Sequence, residues 1–310
     1  MLQVKNLTIT HRRDLTTLIQ DLSFVLSPGD RCAVIGEEGN GKSTLLKLLY
    51  DPALVEPYVE WTGELGEGRL RRGYLAQELT PEELALPVGE FCMDSPGFSD
   101  ADPGTLARTA AQGGLPADLF YDWREMSTLW GGERVKLRLA LLLLDRPDLL
   151  LLDEPSNDLD LKTLEWLEGF LLSCPLPVLY VSHDEGLLSA TANLIIHLER
   201  LSRRTTPRST VKRAGYQEYV SARSAAFAAQ TQQARKEKEE LDKKVERWRD
   251  IRNAVDHAQG TISRQDPHGG RLLKKKMHAV QSMGRRFQRE AEDMTPLPQE
   301  EQAILSTFDP

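Results

Sequence analysis

Short apolar runs alternate with helical patterns along the first 200 residues. Near the N-terminus, apolar and polar side chains alternate at residues 2–9, as on a strand with one buried face. The run at residues 149–152 consists of leucines alone and is apolar on both strand faces, as a central parallel strand requires. The pattern predicts an α/β fold, with a mostly parallel sheet flanked by helices. The runs expected to form its strands lie at residues 31–35, 149–152, 178–181 and 194–198.

The pattern changes to a long helical one after residue 215. No Gly or Pro occurs between residues 216 and 259, so we expect one uninterrupted helix there. Gly and Pro return at residues 260–270 and predict a chain reversal. Apolar positions spaced by four and three residues on both sides of it would face each other, which predicts an antiparallel α-helical hairpin. These positions are Leu241, Val245, Trp248, Arg252 and Val255 before the turn, with Arg252 the polar exception, and Leu273, Met277, Val280, Gly284 and Phe287 after it.

These patterns divide the chain into four predicted regions. The α/β domain covers residues 1–205, a connector covers 206–215, and the hairpin covers 216–294. Residues 295–310 begin as an acidic linker that contains proline and end in the strand-like run 303–308. That strand has no partner in this sequence, so we expect it to be the start of a further domain.

The composition, with 40% apolar and 28% charged residues, is typical of a soluble protein. No run reaches the about 18 consecutive apolar residues that a membrane helix needs, and no signal-peptide pattern is visible. We therefore expect a soluble, cytoplasmic protein. Cys32, Cys92 and Cys174 are odd in number and widely spaced, which favours buried thiols over disulfides or a zinc site.

Charge is divided unevenly along the chain. The net charge is −8, yet residues 211–290 hold 19 Lys or Arg against 10 Asp or Glu, a balance of +9. The other residues therefore carry −17. An acidic body with a basic helical appendage predicts a polyanionic partner that contacts the appendage.

Residues 36–44 form a glycine-rich segment between a predicted strand and a predicted helix. Such a loop turns several backbone N–H groups toward one anion, and the helix N-terminus adds partial positive charge. We expect Lys42 to reach the β- and γ-phosphates of a nucleotide, Ser43 to ligate Mg²⁺, and Thr44 to contact the α-phosphate. The alternative is a plain strand-to-helix turn. The other expected nucleotide contacts of this loop are Gly36, Gly39, Asn40 and Gly41.

Three candidate catalytic residues and a metal ligand follow predicted strands. Ligands bind at the carboxyl edge of a parallel sheet, so we expect Asp153 in the Mg²⁺ shell and Glu154 to polarise the attacking water. His183 is a candidate sensor of the γ-phosphate, and Gln77 is a candidate ligand of Mg²⁺ or of the water. Taken alone, the two carboxylates after the strand are equally compatible with a solvated strand end. A single histidine, taken alone, more often has a structural role.

The order of these motifs resembles the ATP-binding cassette (ABC) superfamily over residues 1–200. Residues 36–44 are similar to its Walker A motif, residues 149–154 to its Walker B motif and residues 156–160 to its D-loop. Gln77 is similar to the Q-loop glutamine and His183 to the switch histidine. The resemblance implies a P-loop ATPase that uses ATP and Mg²⁺, with His11 stacked on adenine. A segment similar to the family's signature motif implies further nucleotide contacts from Leu129, Trp130, Gly131, Gly132 and Glu133.

Within that superfamily the chain resembles the ABC-F subfamily, which joins two cassettes by a helical hairpin and has no membrane domain. The Gly-Gly-Glu end of the signature, the short stretch between Gln77 and the signature, and the charged hairpin carry this resemblance. It implies a translation factor or an antibiotic ribosomal protection factor whose hairpin contacts ribosomal RNA and the P-site tRNA. Basic side chains around the turn fit phosphate contacts, and a solvated helical face is the alternative. The candidates are Arg264, Arg271, Lys274, Lys275, Lys276, Arg285 and Arg286.

Three departures from the family pattern affect the expected activity. The signature usually has Ser where this chain has Trp130, and in the family that Ser contacts the γ-phosphate held by an opposing cassette. Asp158 stands where the subfamily commonly has His. The family also builds its nucleotide sites between two cassettes, so this chain needs a second cassette or a homodimer. We therefore expect ATP binding with slow hydrolysis.

Three other functions compete with this interpretation. The ATPase subunit of a membrane transporter would have a longer helical segment between Gln77 and the signature, and no basic hairpin. A coiled-coil DNA-repair or chromosome ATPase would place its coil between the Walker A and signature motifs, whereas both precede the helices here. The third is a truncated or regulatory fragment that binds ATP without turnover, which Trp130 favours.

Overall fold

The computed structural model describes the backbone of residues 1–66, 70–200, 207–261 and 267–295, and the side chains of all of these except residues 267 and 268. The chain divides into two compact units, Met1–Val220 and Ser221–Gln299. The first unit contains strands and helices, and the second is built from two helices.

Within the described residues, nine β-strands form two sheets in the first unit. In chain order they are β1 Leu2–His11, β2 Thr17–Leu26, β3 Arg31–Ile35, β4 Val59–Leu65, β5 Arg72–Leu75, β6 Leu149–Asp153, β7 Val178–Val181, β8 Leu194–Arg200 and β9 Pro207–Lys212. The larger sheet has the order β5-β6-β7-β3-β8-β9 and is parallel except for β9, which pairs antiparallel with β8. The smaller sheet is antiparallel, with the order β2-β1-β4. The predicted α/β fold with a mostly parallel sheet is confirmed.

Ten α-helices lie in the described ranges, and none of them is both long and apolar enough to cross a membrane. They are α1 Lys42–Tyr50, α2 Pro81–Ala85, α3 Val88–Met93, α4 Pro96–Ser99, α5 Pro103–Gly113, α6 Gly131–Leu144, α7 Leu161–Ser173, α8 Glu185–Thr191, α9 Tyr216–Thr261 and α10 Pro267–Glu292. Short 3₁₀ turns occur at Pro52–Leu54, Ala117–Tyr121 and Met126–Thr128. Residues of α3 to α6 share one apolar cluster, which makes this helical segment a packed layer of its own.

The centre of the larger sheet is buried on both faces. Every residue of β6 and β7 is buried. The leucines of β6 alternate between two apolar clusters, with Leu149 and Leu151 in one and Leu150 and Leu152 in the other. The first cluster includes residues of β1, β2 and α1, and the second includes residues of α7 and α8. Because both faces are covered, the strand contains only apolar residues until it reaches Asp153.

The three cysteines are buried free thiols in the described structure, as the sequence predicts. Burial raises the pKa of Cys32, Cys92 and Cys174 alike. A protonated thiol packed in the core is unreactive, so these residues contribute packing and no chemistry.

The stretch predicted as a connector, residues 206–215, contains β9 instead. Its residues pair with β8 from Pro207 to Lys212. The Ser209 hydroxyl donates to the Gln20 carbonyl oxygen at 2.7 Å. Arg213 donates to both carboxylate oxygens of Asp30, at 2.8 and 3.0 Å. The sequence conceals this strand because an edge strand keeps mostly polar side chains, which give no apolar pattern.

The two helices of the second unit pack against each other as an antiparallel hairpin, which confirms the prediction. Trp248 lies at the centre of the seam, where its indole N–H donates to the Val280 carbonyl oxygen at 2.7 Å. Lys244 pairs with Glu290 at 3.1 Å. Four of the five residues in each predicted stripe line the space between the helices, with Val255 and Leu273 the exceptions. Part of the predicted turn, residues 262–266, and the predicted strand 303–308 lie outside the described residues.

Replacing Arg213 with Gln is expected to destabilise the first unit in a pH-dependent way. The hydrogen bonds from Arg213 hold the pKa of Asp30 below its usual value. A depressed carboxyl pKa stabilises the fold above the pKa of the unfolded state, about 3.9, and this contribution is lost as pH falls through the folded value. Melting temperatures should therefore differ most between wild type and R213Q at neutral pH and converge under acid. Arg208→Gln, on β9 just before Arg213, is the control and should change little at either pH.

Replacing Gly284 with Ala is expected to open the hairpin seam. A Cβ at this position would lie 2.8 Å from the Trp248 ring, which its hydrogen bond holds in place. Overpacking of this kind costs about 1–3 kcal/mol. Hydrogen-exchange mass spectrometry should show lost protection in residues 241–255 and 273–287. Gly260→Ala meets open space and should leave protection unchanged. Equal behaviour of the two variants would contradict the seam described here.

Candidate active site

The glycine-rich loop between β3 and α1 is held against β8. Gly36, Gly39 and Gly41 all have positive φ, at 146°, 79° and 87°. The Asn40 side-chain amide donates to the Leu198 carbonyl oxygen at 2.9 Å. A Cβ on Gly36 would overlap the same oxygen. Only glycine at position 36 therefore allows the loop to lie this close to β8.

Lys42 begins α1 and is buried behind the loop. Its ammonium group donates to the carbonyl oxygens of Gly36 and Glu37, at 2.8 and 3.0 Å. Burial lowers the pKa of Lys42, and nearby carboxylates, Glu154 foremost, oppose the shift. A desolvated cation, the N-terminus of a helix and turned backbone N–H groups together form a binding place for an anion such as phosphate.

The Asp153 carboxylate contacts two hydroxyl groups. Ser43 Oγ donates to Oδ1 at 2.9 Å, and the Tyr74 hydroxyl donates to Oδ2 at 3.3 Å. Burial raises the pKa of Asp153, and the two hydrogen bonds offset part of the rise. Mg²⁺ prefers oxygen ligands and usually takes one or two from the protein, with the rest from water and phosphate. Ser43 and Asp153 fit that requirement, and no group of three or more His, Cys, Asp or Glu in the described residues suggests a different metal.

Glu154 is a buried carboxylate with one oxygen satisfied and one open. Its Oε1 lies 3.1 Å from His183 Nε2, while Oε2 is buried and accepts no hydrogen bond from any described residue. Burial raises the pKa of Glu154, and the charges of His183 and Lys42 partly oppose this. The residue also has a left-handed backbone, with φ 50°, a conformation that costs about 1–3 kcal/mol and clusters at functional sites. Oε2 is thus a buried acceptor without a donor, and it can accept a hydrogen bond from a water molecule and polarise it.

Gln77 and His11 lie at the margin of this site. Gln77 is exposed in the loop after β5, whose last residue, Leu75, pairs with Leu152 just before the two carboxylates. His11 ends β1, with its ring centroid 6.3 Å from that of Tyr58. Burial raises the pKa of Tyr58 and a hydrogen bond with Thr44 opposes it, which places this tyrosine beside α1. Neither Gln77 nor His11 is hydrogen-bonded to Lys42, Asp153 or Glu154 among the described residues, so their roles at the nucleotide stay predictions.

The predicted signature residues are a separate group at the start of α6. Leu129 is buried, and Trp130 is 81% exposed, with its backbone N–H donating to Glu133 Oε2 at 3.2 Å. The two glycines are confined by their own chain. A Cβ on Gly131 would lie 2.9 Å from the Asp158 carbonyl oxygen, and one on Gly132 would press against Thr163. In the described residues none of the five is hydrogen-bonded to Lys42, Asp153 or Glu154.

Most of the predicted basic residues lie along one face of α10. Their spacings, of one, three, ten or eleven residues, keep them on one side of a helix. These residues are Arg271, Lys274, Lys275, Arg285 and Arg286. Arg286 pairs with Glu290 at 3.0 Å. The others are exposed and form no ion pair with any described residue. Lys276 is also exposed but lies off this face, and Arg264 is outside the described residues.

Two contributors to the site are absent from the sequence-based prediction. Tyr74 reaches Asp153 from the neighbouring strand β5, and Leu198 supplies the carbonyl oxygen that anchors the loop. A backbone carbonyl leaves no signal in a sequence. Tyr74 has one weak signal, because an aromatic residue in a strand beside the carboxylate-bearing strand can present its hydroxyl at the same edge.

Known proteins are similar to this chain in sequence. Residues 19–157 match the ABC transporter family model. The chain is 31% identical to the tylosin resistance ATP-binding protein TlrC of Streptomyces fradiae over 76% of this chain and 48% of that protein. It is 30% identical to the energy-dependent translational throttle protein EttA of Haemophilus influenzae over 59% of this chain and 38% of that protein. This chain thus spans about half or less of the length of these relatives.

A solved structure of an inward-facing metal-chelate type ABC transporter is also similar. It superimposes with a TM-score of 0.52 and 25% sequence identity, over 67% of this chain and 82% of that chain. The shared part is the α/β fold with its cassette topology.

Gly36→Ala is expected to weaken nucleotide binding by about tenfold. Steric overlap that displaces the loop from Leu198 costs about 1–3 kcal/mol, and a loss of about 1.4 kcal/mol in binding is tenfold. Titration with a fluorescent ATP analogue measures the affinity. Gly29→Ala is the matched control, since Gly29 also has a positive φ, 81°, but meets nothing within 4 Å. Unchanged affinity in G36A, or an equal loss in both variants, would contradict the role given to this contact.

Proposed function

This chain belongs to the ABC-F subfamily of the ATP-binding cassette superfamily, and we propose that it binds and hydrolyses ATP in order to act on the ribosome. One observation carries the catalytic part. Ser43 with Asp153, and Glu154 with His183, lie as two bonded pairs at the edge of the sheet where the glycine-rich loop ends. That is the arrangement that phosphoryl transfer to water requires.

Each protein group has a defined task in this proposal. The loop N–H groups and Lys42 hold the phosphates, and Ser43 and Asp153 hold the metal. Mg²⁺, when bound, neutralises charge on the β- and γ-phosphate oxygens. Glu154 Oε2 accepts a hydrogen bond from the attacking water, and burial strengthens it as a base because its pKa is raised. His183 orients this carboxylate through Oε1, and Gln77 completes the site from the adjacent loop.

The ribosomal part of the proposal rests on the relatives and on charge. One relative is named for translation and another for resistance to tylosin, which supports a translation factor or an antibiotic ribosomal protection factor. The exposed basic face of α10 is suited to the phosphate backbone of ribosomal RNA or P-site tRNA. Such contacts weaken as salt concentration rises. A ribosome partner places the protein in the cytoplasm.

A complete site needs a second cassette in this proposal, from another polypeptide segment or from a homodimer. Trp130 has one N–H donor and a large indole where a small hydroxyl is usual. Turnover by the isolated chain is therefore slow. Two alternatives remain. Similarity to a transporter structure favours an ATPase subunit of a transporter, and Trp130 favours a fragment that binds ATP without turnover.

Glu154→Gln tests the proposal. Removing the carboxylate should reduce ATP hydrolysis by about 100-fold or more while ATP binding persists. The ATP-bound form should then accumulate and sediment with purified ribosomes through a sucrose cushion. We expect sedimentation with ATP and none without it, and we expect it to decline as salt is raised.

Two triple variants of E154Q show whether the basic face is used. Neutralising Arg271, Lys274 and Lys275 to Gln should weaken sedimentation. The control, made by neutralising Lys236, Lys238 and Lys243 on α9, removes the same charge from the same unit and should weaken it less. Bound ATP without sedimentation would overturn the ribosomal proposal and favour the transporter or fragment alternative.

A further inference from the structure

Tyr74 reaches the proposed metal ligand from a neighbouring strand. β5 and β6 are parallel and paired, with Tyr74 opposite Leu151, two residues before Asp153. The tyrosine hydroxyl donates to Asp153 Oδ2 at 3.3 Å, and Ser43 Oγ donates to Oδ1 at 2.9 Å. Each carboxylate oxygen therefore has one hydroxyl partner from a different element.

The Tyr74 ring is itself held in position. It stacks on Tyr50, with ring centroids 5.1 Å apart and an interplanar angle of 28°. Tyr50 is the last residue of α1, and Ser43 is the second residue of the same helix. Tyr74 also packs against the apolar cluster that contains Leu149 and Leu151. A ring fixed by stacking and packing can aim its hydroxyl reproducibly, because few rotamers remain.

We infer that Tyr74 is a positioning residue for Asp153: its hydroxyl fixes Oδ2, and so turns Oδ1 toward Ser43 and the metal. The inference rests on the proposed function, since it concerns the Mg²⁺ of the same site. A carboxylate that ligates a metal needs its own hydrogen bonds to keep one orientation, and removing such a partner commonly costs 10- to 100-fold in metal affinity. Asp153 is buried, so water offers little replacement for a lost donor.

Tyr74→Phe removes the hydroxyl and keeps the ring, its stacking and its volume. We expect the Mg²⁺ concentration that half-saturates a fluorescent ADP complex to rise by about tenfold or more. Electron paramagnetic resonance of Mn²⁺ in the same complex should show an equal loss of bound metal. ADP affinity in EDTA should stay at the wild-type value, and the melting temperature should fall only slightly, because the loss of one hydrogen bond costs about 0.5–1.5 kcal/mol. Excess Mg²⁺ should restore the ATPase rate, because the variant lacks an affinity and not a reacting group.

Tyr50→Phe is the matched control, since its ring stacks on Tyr74 and its hydroxyl makes no hydrogen bond in the described structure. It should leave the Mg²⁺ requirement unchanged. Wild-type Mn²⁺ affinity in Y74F would overturn the inference while the proposed function stands. A fall in metal-free ADP affinity as large as the fall in metal affinity would also overturn it, by giving Tyr74 a purely structural role. A wild-type protein that binds no nucleotide would overturn the proposed function and this inference with it.

Discussion

The parallel pairing of β3, β6 and β7 is the constraint on which the site depends. Their carboxyl ends meet at one edge, which brings together Ser43, Glu154 and His183 although they are far apart in sequence. A one-residue slip of β6 would turn Asp153 toward the opposite face. The slip is prevented because both faces of the strand are buried in separate apolar clusters. Packing therefore determines the geometry of the polar residues at its end.

Three ionisable side chains at the same edge are buried, which disfavours their charged forms. Burial moves the pKa of Lys42 down and those of Asp153 and Glu154 up, so each group is pushed toward its neutral form. Glu154 adds a left-handed backbone. Unfavourably placed charges and strained backbone are common at functional sites. Here a bound anion would stabilise the charged form of Lys42, and a bound cation would stabilise the charged form of Asp153. The two-sided apolar core supplies the stability that the edge lacks.

Sequence patterns predict the parts of this protein that apolar burial defines. The leucine run of β6, the glycine-rich loop and the long helices all have strong local signals, and the structure contains them. β9 was missed because an edge strand with polar side chains has no apolar period, and its attachment depends on Asp30, some 180 residues away. Tyr74 and the Leu198 carbonyl were missed because their roles depend on strand register. Arg252 is the one polar residue in the apolar stripe of α9, and the sequence pattern gives it no role. In the structure its guanidinium lies 5.5 Å from the Trp248 ring centroid, where a cation is attracted to the ring.

The residues at the start of α6 belong to one short motif but are constrained by the fold to very different degrees. Gly131 and Gly132 are confined by Asp158 and Thr163 of the same polypeptide, so any side chain there would disturb folding whether or not a partner exists. Trp130 is almost fully in solvent and touches little of its own chain. A substitution at position 130 should therefore cost the stability of this fold little, whereas one at position 131 or 132 should cost much more. Neighbouring positions in one motif thus differ widely in how strongly the fold constrains them.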